Sequence, residues 1–149
     1  MKSPRHTARG IVIHEGKLLL IERWRGKMHY FSIPGGGIEE GEVPEETVVR
    51  EIAEETSCVV TVERPLYSFI TEVGSQHHIF LCSYQSGVPH LPETSPEFLH
   101  SKPNNKFAPT WLDLAELPNA PFLIWKPIAD RLKKDLANGY AEGVVSLSP

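Results

Sequence analysis

The order of periodic segments predicts a single α/β domain. Residues 44–56 carry apolar side chains at helical spacing, and short runs of β-branched and aromatic residues lie on both sides of them. A second helical pattern lies near the end of the sequence. With 149 residues, 40% hydrophobic and 23% charged, one domain spanning residues 1–149 can bury a core of its own.

Taken in order, Ala8 to His14 and Leu18 to Arg23 read as strands joined by a hairpin turn at Glu15-Gly16. Residues 24–29 read as a polar connection leading to the apolar and aromatic run Tyr30-Phe31-Ser32-Ile33. Pro34-Gly35-Gly36-Gly37 reads as a loop feeding a site, because successive glycines allow sharp turns and let a ligand approach the main chain. Gly41 breaks the chain again. Pro44 suits the first turn of the helix, where its missing N–H costs nothing, and Glu45 and Glu46 match the positive end of the helix dipole.

Beyond that helix, Val59 to Glu63, Leu66 to Val73 and His78 to Tyr84 read as strands. The stretch from Ser86 to Asn105 holds Pro89, Pro92, Pro96 and Pro103 and reads as a long loop of the kind that often carries function. Phe107 to Leu112 reads as one more strand, and Asp113 as the cap of a short turn, Leu114 to Leu117. Phe122 to Ala137 reads as an amphipathic helix ending at Asn138-Gly139, with Pro127 limiting its first part. Residues 140–149 read as a frayed tail.

The central helix carries the chemistry. At 3.6 residues per turn Glu51, Glu54 and Glu55 fan over an arc of about 100°, while Val49, Ile52, Ala53 and Thr56 fall on the opposite side, the pattern of a helix anchored by one face. Like charges at these spacings repel, so a cation should compensate them. Carboxylate oxygens are the ligands Mg²⁺ prefers, and it commonly binds through a few carboxylates plus the phosphates of a substrate.

The series Gly36, five residues, Glu42, seven residues, Arg50-Glu51-Ile52, one residue, Glu54-Glu55, preceded by Pro34-Gly35, resembles the signature of the Nudix hydrolases. The resemblance is sharp over residues 34–55 and loose elsewhere, and it departs from the pattern where Ser57 and Cys58 stand in place of glycine and an aliphatic residue. Ser57 falls just past the helix, where a left-handed conformation is common, so it should cost about 1 kcal/mol or force a different exit.

The resemblance implies a Nudix fold, an α/β/α sandwich around a mixed β-sheet, and hydrolysis of the pyrophosphate bond in a nucleoside diphosphate linked to another group. It also implies Mg²⁺, with Mn²⁺ as an alternative, held by Glu51, Glu54 and Glu55 and a main-chain carbonyl near Gly35. Arg50 would orient a neighbouring glutamate, with a surface ion pair to Glu46 or Glu54 as the ordinary alternative. Glu42 would support the ligands from outside or through water. The general base is open between Glu93 or Glu97 in the proline-rich loop and Glu54 or Glu55 on the helix. Arg23 and Arg25 are the candidates for phosphate contact, and Tyr30 and Trp111 for stacking on a base, each against an ordinary surface or core role. His77 and His78 lie on alternate faces of a strand and read as structural.

Substrate marks of three Nudix subfamilies are missing. The tyrosine of diadenosine polyphosphate hydrolases would fall near residues 74–76, the proline of ADP-ribose hydrolases near Val73 or Gly74, and the NADH-hydrolase run after Cys58. A nucleoside triphosphate or another nucleotide derivative stays open. The rival reading is a catalytically inactive Nudix-like module that binds nucleotide or regulates, supported only by Ser57.

Net charge is −4, and eight of the 19 acidic residues lie between Glu39 and Glu55, so the acidity is local. No broad basic footprint points to nucleic acid. The apolar stretch Ile11 to Ile21 is interrupted by His14-Glu15-Gly16-Lys17, which excludes a signal-peptide core or membrane span there and leaves a cytoplasmic location as the default. Cys58 and Cys82 read as two buried thiols. The expected partner is a small-molecule nucleotide, and the resemblance also allows a homodimer.

Overall fold

The computed structural model describes residues 4–91, 105–122 and 125–149. Eight strands, β1 (His6–His14), β2 (Lys17–Arg25), β3 (Met28–Ser32), β4 (Gly35–Gly37), β5 (Val59–Ile70), β6 (Gln76–Ser86), β7 (Asn105–Asp113) and β8 (Val145–Leu147), form a mixed sheet in the order β3-β2-β1-β6-β5-β8. β4 adds to β1 and β7 to β2. The pairs β1–β6 and β5–β8 are parallel and the others antiparallel.

Alternation along the strands sends side chains to two cores, each covered by one helix. Ala8, Val12 and Leu19 meet Val48 and Ile52 of α1 (Pro44–Thr56) on one face. Ile11, Leu18 and Leu20 meet Ile128 and Leu132 of α2 (Lys126–Asn138) on the other. This is the α/β/α sandwich expected from the resemblance. Ile52 is fully buried, and cutting it to Ala would cost about 2–5 kcal/mol. On α1 the anchored side chains are Thr47, Val48, Ile52 and Thr56. Ala53, assigned to that side from the sequence, is exposed.

Several boundaries differ from the sequence reading. Residues 24–29 are not a connection: β2 runs to Arg25 and β3 begins at Met28, with Gly26 at positive φ in a tight hairpin. Gly35–Gly37 is a short strand against β1, not a loop. The two strands read before and after Arg64-Pro65 are one strand, β5. Register shifts around Arg64 and Pro65 absorb the missing proline N–H without ending the ladder.

Asp113 precedes a 3₁₀ turn, Leu114–Asn119, but makes no side-chain cap bond. α2 starts at Lys126 rather than Phe122, because Phe122 bridges to Phe31 and Pro127 suits the first turn. The segment 140–149 is not simply frayed, since Val145–Leu147 pairs with Tyr67–Phe69. Cys58 and Cys82 are buried free thiols, as expected. Among the described residues no helix is long and apolar enough to cross a membrane. Glu93 and Glu97 lie outside the described residues.

Candidate functional site

Arg50, in the second turn of α1, organises the acidic face. Its Nε donates to Glu42 Oε2 at 2.7 Å and its Nη2 to Glu42 Oε1 at 2.9 Å, the bidentate geometry that suits a guanidinium and a carboxylate. Nη1 reaches Glu51 Oε1 at 3.0 Å and the Glu54 carboxylate at 3.3 Å, and Nη2 also reaches the Gly37 carbonyl at 3.2 Å. Glu42 accepts further bonds from Thr47 Oγ1 at 2.6 Å and the Glu39 N–H at 3.1 Å. These bonds, led by Arg50, hold the Glu42 carboxyl down at about 2, and the Glu42 contact raises Arg50 in turn. Glu46 instead accepts from the Val43 N–H at 3.3 Å, so Arg50 is not a simple surface partner of Glu46.

The glycines of β4 fit between this face and β1. A Cβ on Gly36 would lie 2.5 Å from Glu51 Cδ, so only glycine lets that carboxylate rest on the strand. Gly35 has φ +153°, and a Cβ there would lie 2.3 Å from the Ala8 carbonyl; its N–H donates to Glu55 Oε2 at 3.2 Å. Glu54 is the most exposed of the three glutamates, its side chain 59% accessible.

Among the described residues no three acidic, histidine or cysteine side chains stand as a ready-made metal cage. Arg50 draws Glu51 and Glu54 while the Gly35 N–H draws Glu55, which spreads three like charges. The donor chemistry still fits a hard cation. The donors are all oxygens, the Gly36 surface leaves no side chain in the way of Glu51, and Mg²⁺ needs only a few carboxylates alongside substrate phosphates.

Ser57 does adopt the left-handed conformation expected of glycine, at φ 64° and ψ 13°. Its N–H closes on the Ala53 carbonyl, its Oγ donates to the His90 carbonyl at 2.9 Å, and the His90 N–H returns to the Thr56 carbonyl. The segment around His90 thus secures the helix exit at the departure from the motif.

Of the predicted substrate contacts, Arg23, Tyr30 and Trp111 have partners outside the Arg50 cluster. Arg23 donates to Asn105 Oδ1 at 3.4 Å and lies 5.0 Å from the Phe107 ring. Arg25 is exposed at the β2–β3 hairpin. Tyr30 pairs with Arg23 and is 7% accessible, so its ring is part of the core and not open to a base; Trp111 packs edge-on against Tyr84. His77 is buried, shares a 2.6 Å bond with Thr7 Oγ1, and lies tilted against Trp125 with ring centres 3.9 Å apart. Burial, with Arg9 and Arg5 nearby, lowers it to about 4.

The sequence reading missed Arg9. It lies on β1 directly opposite Gly35, donates from Nη1 to the Ile33 carbonyl at 2.9 Å, and sits 5.3 Å from the Trp125 ring. Burial lowers its pKa, against the opposing pull of the Glu55 and Glu51 carboxylates. An arginine within an otherwise apolar strand was the available signal, because such a residue is rarely buried without a partner.

Comparison with known proteins adds a family. A profile of the NUDIX domain matches residues 4–134. Over 55 residues the chain is 46% identical to an ADP-ribose pyrophosphatase of Methanocaldococcus jannaschii, a match covering 36% of this chain and 32% of that protein. Over 86 residues it is 33% identical to an ADP-ribose pyrophosphatase of Bacillus subtilis, covering 54% and 46%. The chain therefore spans less than half of either curated relative it matches. The solved structure of a NUDIX hydrolase from Nitrosomonas europaea superposes with a TM-score of 0.74, covering 100% of this chain and 81% of that one; at 17% identity it shows the fold alone.

Proposed function

Because the chain belongs to the Nudix family, whose domain profile spans most of it, we propose that it hydrolyses the pyrophosphate bond of a nucleoside diphosphate linked to another group. The observation that carries this reading is the Arg50 clamp. One guanidinium gathers Glu42, Glu51 and Glu54 at the glycine strand, beside the Gly35 amide that holds Glu55.

Glu51, Glu54 and Glu55, with the Gly35 carbonyl, would hold Mg²⁺ or Mn²⁺. Bound there, the cation would neutralise charge on phosphate oxygens and acidify an attacking water. Arg50 keeps Glu51 and Glu54 aimed, with Glu42 fixing its planar head. Glu54, the most exposed of the three, is the described residue best placed to take a proton from water, and Glu97 is the candidate from the proline-rich stretch.

ADP-ribose is the first substrate to test. The curated relatives support it, while the missing proline near Val73 and Gly74 keeps nucleoside triphosphates and other derivatives in the panel. The test is Mg²⁺-dependent turnover of that panel by the wild type and by Glu54→Gln, with isotopically labelled water to locate the attacked phosphorus. Wild-type turnover with a loss of about 100-fold or more in the variant is expected. No turnover of any substrate, or a variant as active as the wild type, would sink the reading.

A further inference from the structure

Beside the acidic face lies a second set of charges that the Arg50 clamp does not use. Arg9 lies under β4: a Cβ on Gly35 would meet its Cα and Cγ at 2.5 Å. The Gly35 amide that holds Glu55 and the stem of Arg9 are thus parts of one contact. Arg5 approaches the same strand, its Nη2 3.8 Å from the Cβ position of Gly37. Its main chain is fixed by Arg5 N–H to Ser75 Oγ at 2.9 Å and Gln76 N–H to the Arg5 carbonyl at 2.9 Å.

The guanidinium of Arg9 is not satisfied in this arrangement. Nη1 has the Ile33 carbonyl, but Nε is buried and has no hydrogen-bond partner. A buried donor without an acceptor is costly, and Arg9 and Arg5 also act on each other as like charges. Trp125, itself packed against His77, restricts where the Arg9 head can lie. Glu55 and Glu51 offset part of this charge. A divalent cation on those carboxylates would take up their charge and leave two guanidiniums along the glycine strand, an arrangement that suits an anion with several oxygens.

We propose that Arg9 and Arg5 form an anion subsite that receives non-bridging phosphate oxygens of the substrate's diphosphate, across β4 from the carboxylates. This rests on the hydrolase reading and adds to it the side chains that select the diphosphate. Arg9 supplies a charge under β4 and Arg5, at the rim, a second.

The experiment measures binding by calorimetry, with α,β-methylene adenosine diphosphate as a non-hydrolysable probe in saturating Mg²⁺, and with Mn²⁺ alone. Arg9→Met is expected to weaken the diphosphate about 30-fold, Arg9→Lys about fivefold and Arg5→Ala about threefold to tenfold. Mn²⁺ affinity should hold or tighten in all three. Unchanged diphosphate affinity in Arg9→Met overturns the subsite, as does an equal loss of diphosphate and Mn²⁺, which would mean that Arg9 only holds β4 in place. No binding of the probe by the wild type overturns it as well. If Arg9→Met does not fold, Arg9→Lys and the exposed Arg5→Ala decide in the same way. Turnover of ADP-ribose is read separately, so probe binding without turnover defeats the hydrolase reading and leaves the subsite standing.

Discussion

Arg50 and Glu42 are joined by two parallel bonds, 2.7 and 2.9 Å long, that tie the second turn of α1 to the segment preceding it. The same guanidinium touches Glu51 and Glu54, so the pair sets where two of the three helical carboxylates point.

Arg50→Lys keeps the charge but cannot form the parallel pair. Steady-state turnover of the substrate found in the panel should fall about 10- to 100-fold, with kcat more affected than KM. Activity within about twofold of wild type would show that the clamp is dispensable.

Gly36→Ala places a methyl group 2.5 Å from the Glu51 carboxyl carbon. That side chain must move, so Mn²⁺ binding by calorimetry is expected to weaken about tenfold while the thermal midpoint shifts little. Gly35→Ala meets the Ala8 carbonyl and the Arg9 main chain instead, which cannot step aside, and it should cost more than about 2 kcal/mol in denaturant unfolding.

His77 should make the fold sensitive to mild acid. Burial lowers it from 6.5 to about 4, so between those values the unfolded chain takes up a proton that the folded chain does not. Its contribution is fully present above pH 6.5 and is lost as pH falls toward 4, a decline on the order of 3 kcal/mol. Urea unfolding of wild type and His77→Gln across this range should show the steeper decline in the wild type; parallel curves would remove His77 as the cause.

Asp135, 3% accessible on α2, accepts the Tyr67 hydroxyl at 2.7 Å and two bonds from Arg131 Nε at 3.0 and 3.1 Å. Asp135→Ala leaves that hydroxyl buried without an acceptor and should destabilise the domain by about 3 kcal/mol. Tyr67→Phe in the same background should recover part of the loss, measured as the coupling in a double-mutant cycle.

The sandwich and the Arg50 neighbourhood were legible in the sequence because both depend on local spacing. Helical periodicity aligned Glu51, Glu54 and Glu55, and Pro44 marked the first turn. What depended on distant partners was not legible. Gly35–Gly37 looked like a loop because its strand pairing is with Thr7, Ala8 and Arg9, far back in the chain. Pro65 looked like a break because the bulges that absorb it are set by β6. Arg9 was hidden in an apolar run, since its meaning comes from Gly35, Ile33 and Trp125 arriving around it. Ser57 was legible as a departure, while its support from His90 was not, because that support crosses 33 residues.

β8 gives this last point a practical side. By pairing with Tyr67 to Phe69 it occupies peptide groups that would otherwise be an open edge of the sheet. Three residues therefore cover this stretch of the β5 edge. Cutting the chain before Val145, or attaching an unstructured tag that competes with this pairing, would be felt first as self-association on storage rather than as lost chemistry.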